Sequence, residues 1–280
     1  MLQFKIPDLK YLSYKQGQIA YRETGTGQTL FFLHGMNGNS KSWENLFYSL
    51  SSSFHVIAWD APSFGGSDVF GDNIEEYKNA AKALIETLKL KKIILIGHSM
   101  GGLIASQLAY DNDVSVSGLI LSSTHLGFGC KKGEPLMERY ANRLKTFSTK
   151  LSDIDYAMER AQRNTPVGTS ESVIKFLANV ALDIRKESIR DGGRMSQETD
   201  NTNICKDLKM PVLILSGGKD TVISTEMHAS LIAALPRAHK VVFPKAGHAS
   251  FAEYPDQFNY QVTEFAKKVW NLNETVLNKL

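Results

Sequence analysis

The chain has 280 residues, nearly twice the usual single-domain length of about 150, so it is either one large domain or a core carrying an addition. With 42% hydrophobic and 22% charged residues, 21 Gly and 8 Pro, it has the composition of a globular protein with a sizeable core, which excludes disordered, collagen-like and coiled-coil classes. The 32 basic and 29 acidic residues are interleaved, so the net charge of +3 marks no nucleic-acid partner.

Two cysteines, Cys130 and Cys205, are too few for a disulfide framework and lack Cys-x-x-Cys spacing. The N-terminal MLQFKIPDLK carries no apolar core of signal-peptide length, and a cytoplasmic location is expected. The most apolar stretch, KKIILIGHSMGGLIASQLAYD, is interrupted by Gly97, His98, Ser99, Gly101 and Gly102, so no membrane span is expected.

In chain order, apolar runs predict strands at Leu30 to Gly35, Phe54 to Asp60 and Lys92 to Ser99. Between them, SKSWENLFYSLSSS and NIEEYKNAAKALIETLKL read as helices; the second places Ile74, Tyr77, Ala81, Leu84, Ile85 and Leu88 at spacings of three and four. A helix follows from about Gly101 to Tyr110, then strands at Val116 to Ser123 and Met210 to Asp220, a helix near Thr225 to Leu235, a short strand at His239 to Pro244, and a helix from about Pro255 to Trp270. Strands apolar throughout and joined by helices imply an α/β fold with a largely parallel sheet covered on both faces. Only Thr124 to Asn203 breaks the rhythm, with helical patterns and no strand; the expectation is a core of 1–123 and 204–280 with a helical cap at 124–203. The polar tail NLNETVLNKL is expected to fray.

Gly97-His98-Ser99-Met100-Gly101 is a G-x-S-x-G between a strand and a helix, where a sharp reversal needs small residues and presents the serine hydroxyl at the strand's end. A serine needs a base, and the base needs a carboxylate to fix its tautomer. Of the 7 histidines, His248, in PKAGHASF beyond the last short strand, is the candidate; His34 is expected to shape its own loop. No Asp or Glu lies between Val114 and Lys132, so the acid falls to Asp220, in SGGKD after the strand PVLILS. The backbone amides of Met36 and Met100 are the candidate donors to an oxyanion. There is no H-E-x-x-H and no GxxxxGK[ST], so neither a metal nor another cofactor is expected.

HGMNGNS (34 to 40), WDAPSFGGSD (59 to 68), GHSMGG (97 to 102), SGGKD (216 to 220) and AGHASFAEYPDQFN (246 to 259) resemble the α/β-hydrolase superfamily, the likeness spanning nearly all of the chain outside the insertion. The resemblance implies an eight-stranded, mostly parallel sheet with a helical cap after the sixth strand, and it is nearest to esterases, enol-lactonases and the carbon-carbon hydrolases of aromatic meta-cleavage pathways. Family members that act as haloalkane dehalogenases or epoxide hydrolases carry Asp where this chain has Ser99. Family carbon-carbon hydrolases typically place Trp after the histidine, where this chain has Ala249. The leading expectation is therefore hydrolysis of a small-molecule ester or lactone, with carbon-carbon cleavage and non-catalytic ligand binding as alternatives. Arg190 and Arg194 are candidates for binding a substrate carboxylate, against the alternative of ordinary surface arginines. Phe128, Leu136, Met137, Tyr140, Phe147 and Phe176 either line an acyl pocket or pack the cap's own core.

Overall fold

The structure, a computed structural model, describes residues 5–150 and 152–271; the expected fraying of the C-terminal tail falls almost wholly outside these residues. The chain opens with an antiparallel hairpin, β1 (Lys10–Tyr14) and β2 (Gly17–Thr24). Next come β3 (Thr29–Leu33), a 3-10 turn (Ser40–Trp43), α1 (Glu44–Leu50), β4 (His55–Trp59), α2 (Ile74–Thr87), β5 (Ile93–His98), α3 (Met100–Tyr110) and β6 (Val116–Ser122). Helices α4 (Glu138–Thr149), α5 (Asp153–Arg163), α6 (Glu171–Ala181), α7 (Lys186–Glu198) and α8 (Thr202–Asp207) separate β6 from β7 (Val212–Gly217). The chain then runs through α9 (Thr225–Ala234), β8 (His239–Phe243), α10 (Ser250–Glu253) and α11 (Pro255–Trp270).

The sheet has eight strands in the order β1-β2-β4-β3-β5-β6-β7-β8, antiparallel only where β2 meets β1 and β4. Side chains alternate across a strand, so the all-apolar β3 sends Phe31 and Leu33 to one face and Leu30 and Phe32 to the other. The first face packs under α2 and α3 through Tyr77, Leu84, Leu103 and Leu108; the second under α1 and α11 through Leu46, Phe47, Phe258 and Val262. Each fully buried side chain of this kind contributes about 1.5–3 kcal/mol. Fold class and parallel sheet agree with the sequence reading, to which the structure adds the β1–β2 hairpin.

The helix starts follow local chemistry. Asn73 caps α2 by accepting from the Glu76 amide, Ser152 caps α5 at Asp155, and Ser224 caps α9 at Met227. The helical pattern from Met137 to Ala161 divides into α4 and α5, and Tyr156 and Ala157 of α5 are buried in the face shared with α1 and α11. The inserted helices are thus packed onto the sheet's own core, and α7 reaches across to the loops after β3 and β5: a Cβ on Gly192 would lie 3.0 Å from Met100 Sδ and 3.1 Å from Met36 Sδ. Among the described residues, no helix is long and apolar enough to cross a membrane.

Candidate active site

Parallel strands place their following loops at one edge of the sheet, and the candidate site collects there. Ser99 stands between β5 and α3 at φ 51°, ψ −118°, a backbone region that a non-glycine residue occupies only when its surroundings hold it. Its amide donates to the Ser122 carbonyl (2.9 Å), and its carbonyl accepts from Thr124 Oγ1 (2.6 Å) and the Gly102 amide (2.9 Å). The turn also needs its glycines. A Cβ on Gly97 would meet the Gly101 carbonyl oxygen at 2.5 Å, and one on Gly101 would meet the Leu33 carbonyl oxygen at 2.1 Å.

His248 follows β8 and Asp220 follows β7, the strand beside it. His248 Nδ1 lies 2.8 Å from Asp220 Oδ2, and the side chains are only 5% and 7% exposed. The other carboxylate oxygen of Asp220 accepts the amides of Val222 (2.8 Å) and Ile223 (3.1 Å). Burial alone would raise the Asp220 pKa, but the hydrogen bond and charge of His248, with those amides, outweigh it and hold the carboxyl below its ordinary value. An ionised Asp220 accepts a proton bond from Nδ1, leaving Nε2 as the nitrogen free to act as a base.

Ser99, His248, Met36 and Met100 border one cavity of about 560 Å³. Met100 opens α3, so its amide has no acceptor within the helix. The β3 loop passes against the serine, since a Cβ on Gly35 would sit 3.0 Å from Ser99 Cβ. His34 holds that loop: its Nε2 accepts from the Ala61 amide (2.9 Å), so Nδ1 carries the proton and donates to the Gly35 carbonyl (2.8 Å). Burial pushes its pKa down, consistent with a neutral structural ring. His98 packs 4.8 Å from His248, ring to ring; burial and then the charge of His248 push it well below the ordinary value, so it stays neutral. His125, in the same wall, falls to about 4 because of burial and then Arg139.

Of the five candidate substrate-binding residues, Arg190, Arg194, Phe128, Met137 and Tyr140, only Tyr140 lines the cavity. Arg190 binds Asp191 (2.6 Å), whose other oxygen accepts from Ser63 Oγ (2.7 Å), and Arg194 donates to the Glu134 carbonyl and faces Glu198 at 3.6 Å. Neither lines the cavity, because acidic and carbonyl partners on or beside α7 hold them elsewhere. Phe128 and Met137 pack against the hydrophobic core outside the lining, whereas Tyr140, buried beside Gly193 of α7, does line it. Leu136, Phe147 and Phe176 are likewise packing residues.

In their place the cavity holds Arg139 and Arg143 from α4 and Arg160 and Arg163 from α5, with no Asp or Glu among the described lining residues. Spacings of four and three residues put each pair on one helix face, a signal present in the sequence. Which face turns toward Ser99 depends on how α4 and α5 pack, and that was not legible. Two further groups escaped notice: the Glu253 carboxylate accepts the amides of Gly247 and Ala249, and the Asn164 carbonyl accepts that of His248 (2.9 Å).

Known proteins match this chain in sequence and fold. The family described as alpha/beta hydrolase fold matches residues 28–255. A pimeloyl-(acyl-carrier protein) methyl ester esterase from Pectobacterium atrosepticum is 29% identical over 255 residues, covering 88% of this chain and 98% of its own. A thermophilic esterase from Thermogutta terrifontis, solved with malate bound, superposes with a TM-score of 0.80 at 25% identity, over 94% of this chain and 99% of its own. The enol-lactonase from Burkholderia xenovorans LB400 shares the fold, with a TM-score of 0.81 at 22% identity over 92% of this chain and 100% of its own.

Proposed function

The chain belongs to the alpha/beta hydrolase fold family, and from that premise we propose that Ser99, His248 and Asp220 hydrolyse a carboxylic ester by way of an acyl-enzyme. The chain is a carboxylic ester hydrolase. The observation that carries the residue assignment is the 2.8 Å bond between His248 and Asp220 at the rim of the cavity that Ser99 enters from its strained turn.

In this reading Ser99 Oγ attacks the ester carbonyl while His248 Nε2 takes its proton. The carbonyl π electrons move to oxygen, and the amides of Met36 and Met100 receive that charge. Collapse re-forms the carbonyl and expels the alkoxide, which leaves as the alcohol with the proton from His248. Water then gives its proton to His248 and attacks the acyl-enzyme, releasing the acid and restoring Ser99. Asp220 stays ionised throughout and stabilises the imidazolium.

Four arginines line the cavity with Ser99, Arg160 and Arg163 sharing the carboxylate of Glu159, which itself lies outside the lining; the excess of positive charge supports a substrate that carries an anionic group besides its ester. The relatives named pimeloyl-(acyl-carrier protein) methyl ester esterase act on an ester of a carrier-bound acyl chain, and this is compatible with such a cavity. A fluorophosphonate probe is expected to label the wild type at Ser99. Ser99→Ala is expected to lose labelling and to lower hydrolysis of a short p-nitrophenyl ester by about 10⁴-fold or more without unfolding. Wild-type turnover in that variant would show the nucleophile to be another residue.

A further inference from the structure

We propose that Glu253 is a positioning residue for His248, holding its backbone and setting its charge balance from a residue that touches no reacting atom. The inference rests on the reading of His248 as the base.

His248 belongs to a loop with no sheet partner of its own, so its placement must come from the groups that take its amides. Three consecutive amides are taken. Glu253 Oε1 and Oε2 accept from Gly247 at 3.0 and 2.9 Å, and Oε1 also accepts from Ala249 at 3.2 Å. The His248 amide between them donates to the Asn164 carbonyl (2.9 Å) at the end of α5. The Glu253 side chain therefore folds back from the last residue of the short helix α10 onto the two peptides flanking the base. A carboxylate is suited to this because it offers lone pairs on both oxygens and no donor that would oppose an N–H.

Glu253 is half-buried; burial, helped by the charge of Asp220, raises its pKa, with the two amides and the charge of His248 opposing the rise. That charge coupling is reciprocal: a carboxylate near the imidazole favours the imidazolium. The titratable and charged groups facing His248 are Asp220 after β7, His98 at the end of β5, His125 after β6, Glu253 in α10 and, around the cavity, the four arginines of α4 and α5. Substitution of Glu253 alone leaves the rest in place.

Two variants separate the geometric and electrostatic parts. Glu253→Gln keeps the length, loses the charge and turns an NH₂ toward an amide; Glu253→Asp keeps the charge and loses the reach. Gln is expected to lower kcat about 10-fold or more with KM within about twofold, since misplacing a catalytic group acts on turnover. It is also expected to move the acid limb of kcat/KM down by about half a pH unit or more. Asp is expected to lower kcat while moving the acid limb less. Wild-type kcat in both variants, or an acid limb that Gln leaves in place, overturns the proposal. Loss of the fold in both overturns it too, because Glu253 would then serve the chain's folding and not its base. The underlying assignment fails separately, if His248→Ala retains turnover.

Discussion

A carboxylate that gives one oxygen to a histidine and the other to two amides has a fixed orientation, and Asp220 is held in that way. Because its folded pKa lies below the ordinary aspartate value, its stabilising contribution is present above that ordinary value and is lost as pH falls through the depressed one. Asp220→Asn is accordingly expected to lower Tm relative to wild type at pH 7, with the difference vanishing at pH values below the aspartate range. The same variant is expected to lower kcat by about 10⁴-fold, because an amide can donate to Nδ1 and so favour the wrong tautomer. A neutral-pH Tm equal to wild type would contradict the first expectation. Ser99, Asp220 and His248, the proposed nucleophile, acid and base, could be picked out from the sequence because a strand-end turn needs small residues and the proposed base and acid follow parallel strands. Glu253 could not, since nothing in AGHASFAEYPDQFN states that its side chain folds back toward Gly247.

At the scale of elements, β3 and α3 meet at Gly101. In an ordinary helix interior, Gly→Ala stabilises by about 1 kcal/mol. Here the added methyl would lie 2.1 Å from the Leu33 carbonyl oxygen and 2.7 Å from that of His34, both backbone atoms, so the end of β3 must shift. Gly101→Ala is therefore expected to destabilise by about 1–3 kcal/mol, the reverse of the helix-propensity sign. That is a loss of about 2–4 °C in Tm for each kcal/mol, accompanied by lower kcat as the Met36 loop moves. A Tm equal to or above wild type would show that β3 accommodates the methyl. The central strands could be read because burial on both faces makes them apolar throughout. β1 and β2 could not: β1 is an edge strand, largely exposed, and KYLSYKQGQIAYRET mixes polar residues into every apolar run. The helices between β6 and β7 were visible as helices, but their facing was not, which is why Arg190 and Arg194 were expected at the site and Arg139, Arg143, Arg160 and Arg163 were not.

Across the whole molecule, the cavity gathers its arginines from the inserted helices, and Ser99 and His248 from the loops that follow sheet strands. Arg143, half-buried, donates to Asn37 Oδ1, and Arg163, exposed, pairs with Glu159; Gln at each removes the charge and keeps a polar side chain. The double variant Arg143→Gln, Arg163→Gln is expected to raise KM for a monomethyl ester of a dicarboxylic acid about 10-fold, the scale of one charge-assisted hydrogen bond. KM for a neutral ester of equal length should stay unchanged, and added salt should weaken wild-type discrimination between the two. Equal effects on both esters would mean that the arginines do not read charge. The division of labour also fixes when the molecule acquires reactivity during its synthesis. Ser99 belongs to the middle of the sheet, whereas Asp220 and His248 follow β7 and β8, which complete its far edge. A nascent chain that has released β6 and all the inserted helices from the ribosome holds Ser99 without its proposed base and acid. On the proposed assignment, such a chain cannot turn over an ester until β7 and β8 have both joined the sheet.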